Sequence, residues 1–173
     1  NWFQYRDFVP GRYVRNWNVN FNQWAGWNFD GDRNFSGGNV NTHWTFTNNY
    51  SVGMGVNLNA APFRDRVTRG GPGVLGNPSR GLWFYANTDN RRALSFSYNG
   101  YHQAEGQGTS RRNINPSLNL RPSSAMMFSA GVRYDTNLDD AQWVTNEIDA
   151  NGATRYVFGR LDQTTVAMTL RFN

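Results

Sequence analysis

Tyr13-Val14-Arg15-Asn16-Trp17-Asn18-Val19-Asn20-Phe21 alternates at every step. Tyr13, Arg15, Trp17, Val19 and Phe21 fall on one side, with Val14, Asn16, Asn18 and Asn20 on the other, and only an extended strand places residues two apart on one face. Aromatic and aliphatic groups opposed to asparagines across one strand imply two different solvents. The same division returns in most later segments, and that is how the wall of a transmembrane β-barrel reads.

Working outward, Val40, Thr42, Trp44 and Phe46 oppose Asn39, Asn41, His43 and Thr45. After the two-residue turn Asn48-Asn49 comes the clearest strand, with Tyr50, Val52, Met54, Val56 and Leu58 against Ser51, Gly53, Gly55, Asn57 and Asn59. Leu82, Phe84 and Ala86 alternate with Trp83, Tyr85 and Asn87; Leu94, Phe96 and Tyr98 alternate with Ser95, Ser97 and Asn99. Ile114, Pro116, Leu118 and Leu120 face away from Asn113, Asn115, Ser117 and Asn119, and Met126, Phe128, Ala130, Val132 and Tyr134 from Ser129, Gly131, Arg133 and Asp135. The last strand turns Val166, Met168, Leu170 and Phe172 outward, with Thr165, Ala167, Thr169 and Arg171 inward. The lipid-facing set read from this pattern is Val52, Met54, Val56, Leu58, Phe128, Val132, Val166, Met168 and Leu170.

Tight turns near Asn48, Asp89 and Pro122 interleave with longer polar connections near Asp30, Gly71, Gly106 and Asp149, the last read as an excursion from Leu138 to Ala153. Outer-membrane barrels keep short turns on the periplasmic side and long loops outside. The expected fold is therefore an all-β, antiparallel, up-and-down transmembrane barrel with about eight strands visible and both chain ends on the short-turn side. Residues 1–173 are expected to form a single β-barrel region, a fragment, with no second domain. Its inward residues, among them Gly53, Gly55, Ser95, Ser97, Ser117, Ser129, Gly131 and Ala167, are too small to fill a narrow barrel. A segment of a larger barrel is expected, completed by further strands from the same or another chain.

The bulk numbers fit this reading. Hydrophobic residues make up 38% of the chain, low for a packed core, while 16% are aromatic, and a barrel strand is apolar on only half its residues. No apolar run reaches the roughly 18 residues a transmembrane helix needs. All 17 basic residues are arginine, and 12 acidic ones leave a net charge of +5. A basic balance raises nucleic acid as a partner, but these arginines scatter over loops and strand ends instead of clustering, which disfavours it. At a barrel rim their planar forks suit lipid phosphates or sugar-borne anions. The chain has no cysteine, so disulfides, thiolate catalysis and cysteine metal sites are excluded. Asn1-Trp2-Phe3-Gln4-Tyr5 is not a signal peptide, so a mature, processed or partial chain is expected.

Several stretches resemble a family of uncharacterised bacterial outer-membrane proteins that carry an N-terminal carbohydrate-binding-like (family 9-like) module and a C-terminal β-barrel. They are Val14-Arg15-Asn16-Trp17, Trp27-Asn28-Phe29-Asp30-Gly31-Asp32-Arg33, Thr68-Arg69-Gly70-Gly71-Pro72, Arg155-Tyr156-Val157-Phe158 and Leu161-Asp162-Gln163-Thr164-Thr165. The resemblance implies that this chain is part of the barrel, that further hairpins follow the position of Asn173, and that the sugar-binding module precedes the position of Asn1. It also implies location in the bacterial outer membrane.

Chemistry-bearing motifs are sparse. The two histidines, His43 and His102, lie far apart, and no nucleophile-elbow pattern is present. No catalytic residue and no cofactor are expected. Asp30, Asp32 and Asn34 offer oxygens at alternate positions as a calcium loop does. Phe35 and Asn41, however, stand where that loop needs glycine and glutamate, so a plain turn is the better account. Gly70-Gly71-Pro72-Gly73 lacks the lysine and helix of a phosphate cradle and reads as a flexible external loop. Trp44 and Tyr50, bracketing the tight turn, are assigned to the interfacial aromatic girdle. Trp83, Tyr85 and Trp143 are candidates for contact with a ligand such as a saccharide.

The resulting expectation is an outer-membrane barrel segment that serves as scaffold, passage or assembly surface. Two other classes remain open: a soluble all-β carbohydrate-binding module using the tryptophans, and a basic single-strand nucleic-acid binder using arginine and aromatic stacking. The first would stay monodisperse without detergent. The second would lose affinity steeply with salt.

Overall fold

The computed structural model describes residues 1–173, except for the side chain of Gln107. Eleven strands form in chain order: β1 (Trp2–Asp7), β2 (Val14–Trp27), β3 (Arg33–Phe46), β4 (Ser51–Asn59), β5 (Phe63–Arg64), β6 (Val74–Leu75), β7 (Ser79–Asn87), β8 (Leu94–Glu105), β9 (Ser110–Ser123), β10 (Met126–Ile148) and β11 (Thr154–Phe172). Nine of them make one antiparallel meander in the order β1-β2-β3-β4-β7-β8-β9-β10-β11, while β5 and β6 pair with each other. The all-β, up-and-down expectation holds. The sheet is open, with β1 and β11 each paired on one side only.

The register gathers the alternating residues of every strand onto two faces. Tyr5, Val19, Thr42, Met54, Phe84, Gly100 and Ile114 lie side by side across β1 to β9, and Tyr134 and Val166 continue the row over β10 and β11. Its counterpart on the opposite face reads Gln4, Asn20, Asn41, Gly55, Trp83, Tyr101, Asn113, Asp135 and Thr165. Among the described residues no hydrophobic side chain is buried; the buried polar residues are Asn41, Thr68, Asp89 and Ser95, and Gly53 and Gly55 are buried as well. The described residues therefore form no apolar core. The sheet has one apolar face and one polar face.

The structure corrects the sequence reading in three places. The visible strands number nine in the main sheet, because Trp2–Asp7 pairs with β2; the chain therefore starts at the long-loop end and finishes at the other. The strict alternation from Tyr13 is interrupted by a bulge at Arg15, which sets Val14 opposite Phe46 on the apolar face. Most of the stretch from Leu138 to Ala153 is strand: β10 and β11 stay paired out to Ile148 and Thr154, leaving residues 149–153 as the turn. Sorting by loop length is correspondingly weaker, since residues 28–32 and 149–153 are no longer than residues 88–93. What separates the two ends is how far the hairpins run beyond the apolar band.

Candidate functional site

On the polar face the side chains bond chiefly to one another. Asn20 Nδ2 donates to Asn18 Oδ1 (3.0 Å) and to Asn41 Oδ1 (2.7 Å), and its own Oδ1 accepts from Gln4 Nε2 (2.7 Å). Asn39 Oδ1 accepts from Asn22 (2.6 Å) and Asn41 (3.0 Å). His43 continues the chain, its Nε2 3.1 Å from Asn41 Oδ1 and its Nδ1 2.9 Å from the Tyr85 hydroxyl. Amide side chains suit this arrangement because each carries both donors and an acceptor. Further along, Ser97 meets Ser117 at 2.6 Å, Ser129 donates to Asn119 (2.7 Å) and Asn113 to Asp135 (2.6 Å).

Trp83 and Tyr85 belong to this face and are half-buried. Their rings stack nearly parallel, 3° apart with centroids 6.2 Å apart, and His43 lies against both at 5.6 and 5.7 Å. They pair across the ladder with Gly55 and Gly53. A Cβ on Gly55 would come 2.5 Å from Trp83 Nε1, and one on Gly53 would overlap the Tyr85 ring. The two rings thus lie on bare backbone, each with one side already occupied. Trp143, the third ligand candidate, lies far along β10 in the extended hairpin. Its ring takes the Arg69 guanidinium at 4.3 Å, and its Nε1 donates to Asn146 Oδ1 (2.9 Å).

Those contacts fasten the long connection of residues 60–78 to the β10–β11 hairpin. Asn146 Nδ2 donates to the Thr68 carbonyl (3.1 Å), Thr68 is buried with its hydroxyl on the Pro72 carbonyl (2.9 Å), and Gly71 lies under the Tyr156 ring, where any side chain would collide. Arg69 holds φ +52°, a conformation uncommon outside glycine, and Gly70 follows at +103°. At its base, Arg64 pairs with Glu105 (2.9 Å) and Asn34 Nδ2 donates to the Phe63 carbonyl (3.2 Å). The connection read as a flexible loop is a folded strap with its own strand pair. The glycines serve the tight fit.

Asp30 and Asp32 sit in a turn built on Asn28, whose Oδ1 accepts from the Asp30 N–H (3.1 Å) and the Asp32 N–H (2.8 Å), while Gly31 takes φ +88°. Asn34 is engaged with Phe63, so these three residues do not converge. Among the described residues no group of acidic or histidine side chains gathers in a metal-binding arrangement.

The short-turn end has a lock that sequence reading missed. Asp89 is buried; it accepts from Arg91 Nε (2.9 Å), Nη2 (2.8 Å) and N–H (3.0 Å), and from Asn49 Nδ2 (3.1 Å) in the neighbouring turn. The Arg91 guanidinium, then the Arg91 backbone N–H and the Asn49 amide, hold the Asp89 carboxyl well below the usual carboxylate range. Nearby, Trp44 stacks on Trp17 (centroids 5.2 Å, 11°) on the apolar face, and Tyr50 opens β4 beyond the turn, its carbonyl accepting from the Phe46 N–H at 2.8 Å. The residues read as lipid-facing all occupy that apolar face. Met54, Leu58, Val166 and Met168 are each more than half exposed.

In comparison with known families the chain matches a domain of unknown function, DUF5916, over residues 1–173. The chain belongs to the DUF5916 family. No curated protein and no solved structure matches it.

Proposed function

We propose that this DUF5916 chain is part of the wall of a transmembrane β-barrel in a bacterial outer membrane, acting as scaffold, passage or assembly surface with no chemistry of its own. The observation that carries the reading is the uncovered apolar face. Val166, Met168 and Leu170 are 66%, 72% and 72% exposed, and equivalent residues continue across nine strands with no layer packed over them. Soluble monomers rarely leave contiguous apolar patches larger than a few hundred Å², and a soluble sheet must bury its apolar face against another layer. Lipid satisfies that requirement over the whole face at once. The polar face then lines the interior, with Trp83 and Tyr85 as its aromatic station for a passing or bound saccharide.

Closure follows from the same physics. Edge strands left open in hydrocarbon would strand their backbone N–H and C=O groups, so β1 and β11 meet further strands of the same or another chain. The no-cysteine sequence gives a direct test of topology. With single cysteines at Gly106 and Asn49 and a membrane-impermeant maleimide on intact cells, Gly106 is expected to label, and Asn49 only after the outer membrane is breached. Labelling at Asn49 but not Gly106 reverses the orientation, and equal labelling of both on intact cells contradicts a membrane-spanning wall.

A further inference from the structure

We propose that the apolar face carries a binding site for a phosphorylated lipid of the leaflet nearest the long hairpins, built from Arg80, His102 and Arg112 above a hollow floored by Gly100. The inference rests on the membrane reading above. On that face β7, β8 and β9 bring Leu82, His102 and Arg112 side by side, with Phe84, Gly100 and Ile114 one step nearer the short-turn end. Arg80 stands one step beyond Leu82, opposite Ala104. On β7, β8 and β9 these groups mark the upper limit of the apolar band, because Leu94, Phe96, Tyr98, Ile114, Leu118 and Leu120 fill the same face below them.

No carboxylate pairs with the charges there; on the same face Asp162 lies two strands from Arg112 and one step higher. Arg64, Arg91, Arg133 and Arg160 each pair with a carboxylate; Arg80 and Arg112 are among the larger number of arginines that form no ion pair among the described residues. Glu105 and Asp135, the nearest acids by register, belong to the opposite face and are taken by Arg64 and Arg133. His102 adds a buried Nδ1 atom without a hydrogen-bond partner, and a buried polar atom calls for one.

Directly below, around Gly100 and beside the Tyr98 ring that leans over it, lies an open hollow of about 260 Å³, lined by Leu82, Phe84, Tyr98, His102, Arg112 and Ile114. Apolar walls with unpaired guanidinium groups and an imidazole at one end match an amphiphile whose anionic head lies above an acyl chain. Guanidinium forks recognise phosphate oxygens in bidentate fashion. At the depth where apolar residues give way to polar ones, the head is a lipid phosphate.

The test is native mass spectrometry of the full-length protein extracted in neutral detergent and titrated with diphosphoryl lipid A, dephosphorylated lipid A or inorganic phosphate. Insertion into phosphatidylcholine vesicles is checked first. The wild type and R111Q, which removes the same charge from the polar face, are expected to hold diphosphoryl lipid A alike. R112Q and, read independently, R80Q are expected to need about tenfold more. Dephosphorylated lipid should bind more weakly, and inorganic phosphate should not displace the bound lipid at matched concentration. Unchanged binding by both R112Q and R80Q, equal loss in R111Q, equal binding of dephosphorylated lipid, or displacement by free phosphate would each overturn the site. A wild type that inserts but fails these comparisons loses only this inference; one that does not insert loses the membrane reading as well.

Discussion

Gly53 and Gly55 lack side chains where two rings lie flat on the backbone, and the difference between them and other glycines of the same face is measurable. Gly131 also faces the polar side, but a Cβ there would sit 3.5 Å from Ser117 Cβ, an ordinary contact. Gly55→Ala forces Trp83 off its seat and is expected to cost about 1–3 kcal/mol by overpacking. Gly131→Ala is expected to be neutral or mildly stabilising, because alanine restricts the unfolded chain. Denaturant unfolding of both variants in lipid checks this, and equal stabilities would mean that the Trp83 seat carries no packing energy. In the sequence, Gly53 and Gly55 showed only that the inward positions are small. What fills the space above them was not legible, because Trp83 and Tyr85 come from a strand on the far side of the strap. The Asp89 lock was hidden for the same reason: Asn49 and Arg91 read as ordinary turn residues until the two hairpins stand side by side.

The strands themselves were legible wherever their two sides meet different solvents. β4 alternates cleanly because one face is apolar and the other polar. The outer parts of β10 and β11 do not, since both faces of a hairpin that rises past the apolar band meet water or the strap, and the two-residue period disappears. They therefore read as loop. β1 escaped because Trp2 puts an aromatic group on the polar face and blurs a six-residue pattern. The strap of residues 60–78 is the element whose behaviour follows most directly from named contacts. Trp143→Ala removes the ring under Arg69, a cation–π contact worth roughly 0.5–2 kcal/mol, together with the Asn146 hydrogen bond from its indole. Local opening of the strap should rise by roughly twofold to thirtyfold, and trypsin should cut after Arg66 and Arg69 correspondingly faster in the folded protein. An unchanged cleavage rate would show that the strap is held elsewhere.

At the scale of the whole molecule, nine strands make a sheet with one apolar and one polar face, and the described residues form no apolar core. Opposite solvation of the two faces explains at once the low mean hydropathy of −0.71, the amide network on one side and the exposed aliphatic rows on the other. The open edges at β1 and β11 fit the longer circuit proposed above, as do small inward residues that would fill a narrow barrel poorly. Val56 and Asn57 are neighbours on β4 that point to opposite faces, and arginine at an outward mid-bilayer position costs about 2–4 kcal/mol. The decisive measurement is the folding free energy of Val56→Arg and Asn57→Arg in lipid vesicles. The account predicts a loss of about that size for Val56→Arg and little change for Asn57→Arg. Equal tolerance at the two positions would contradict it.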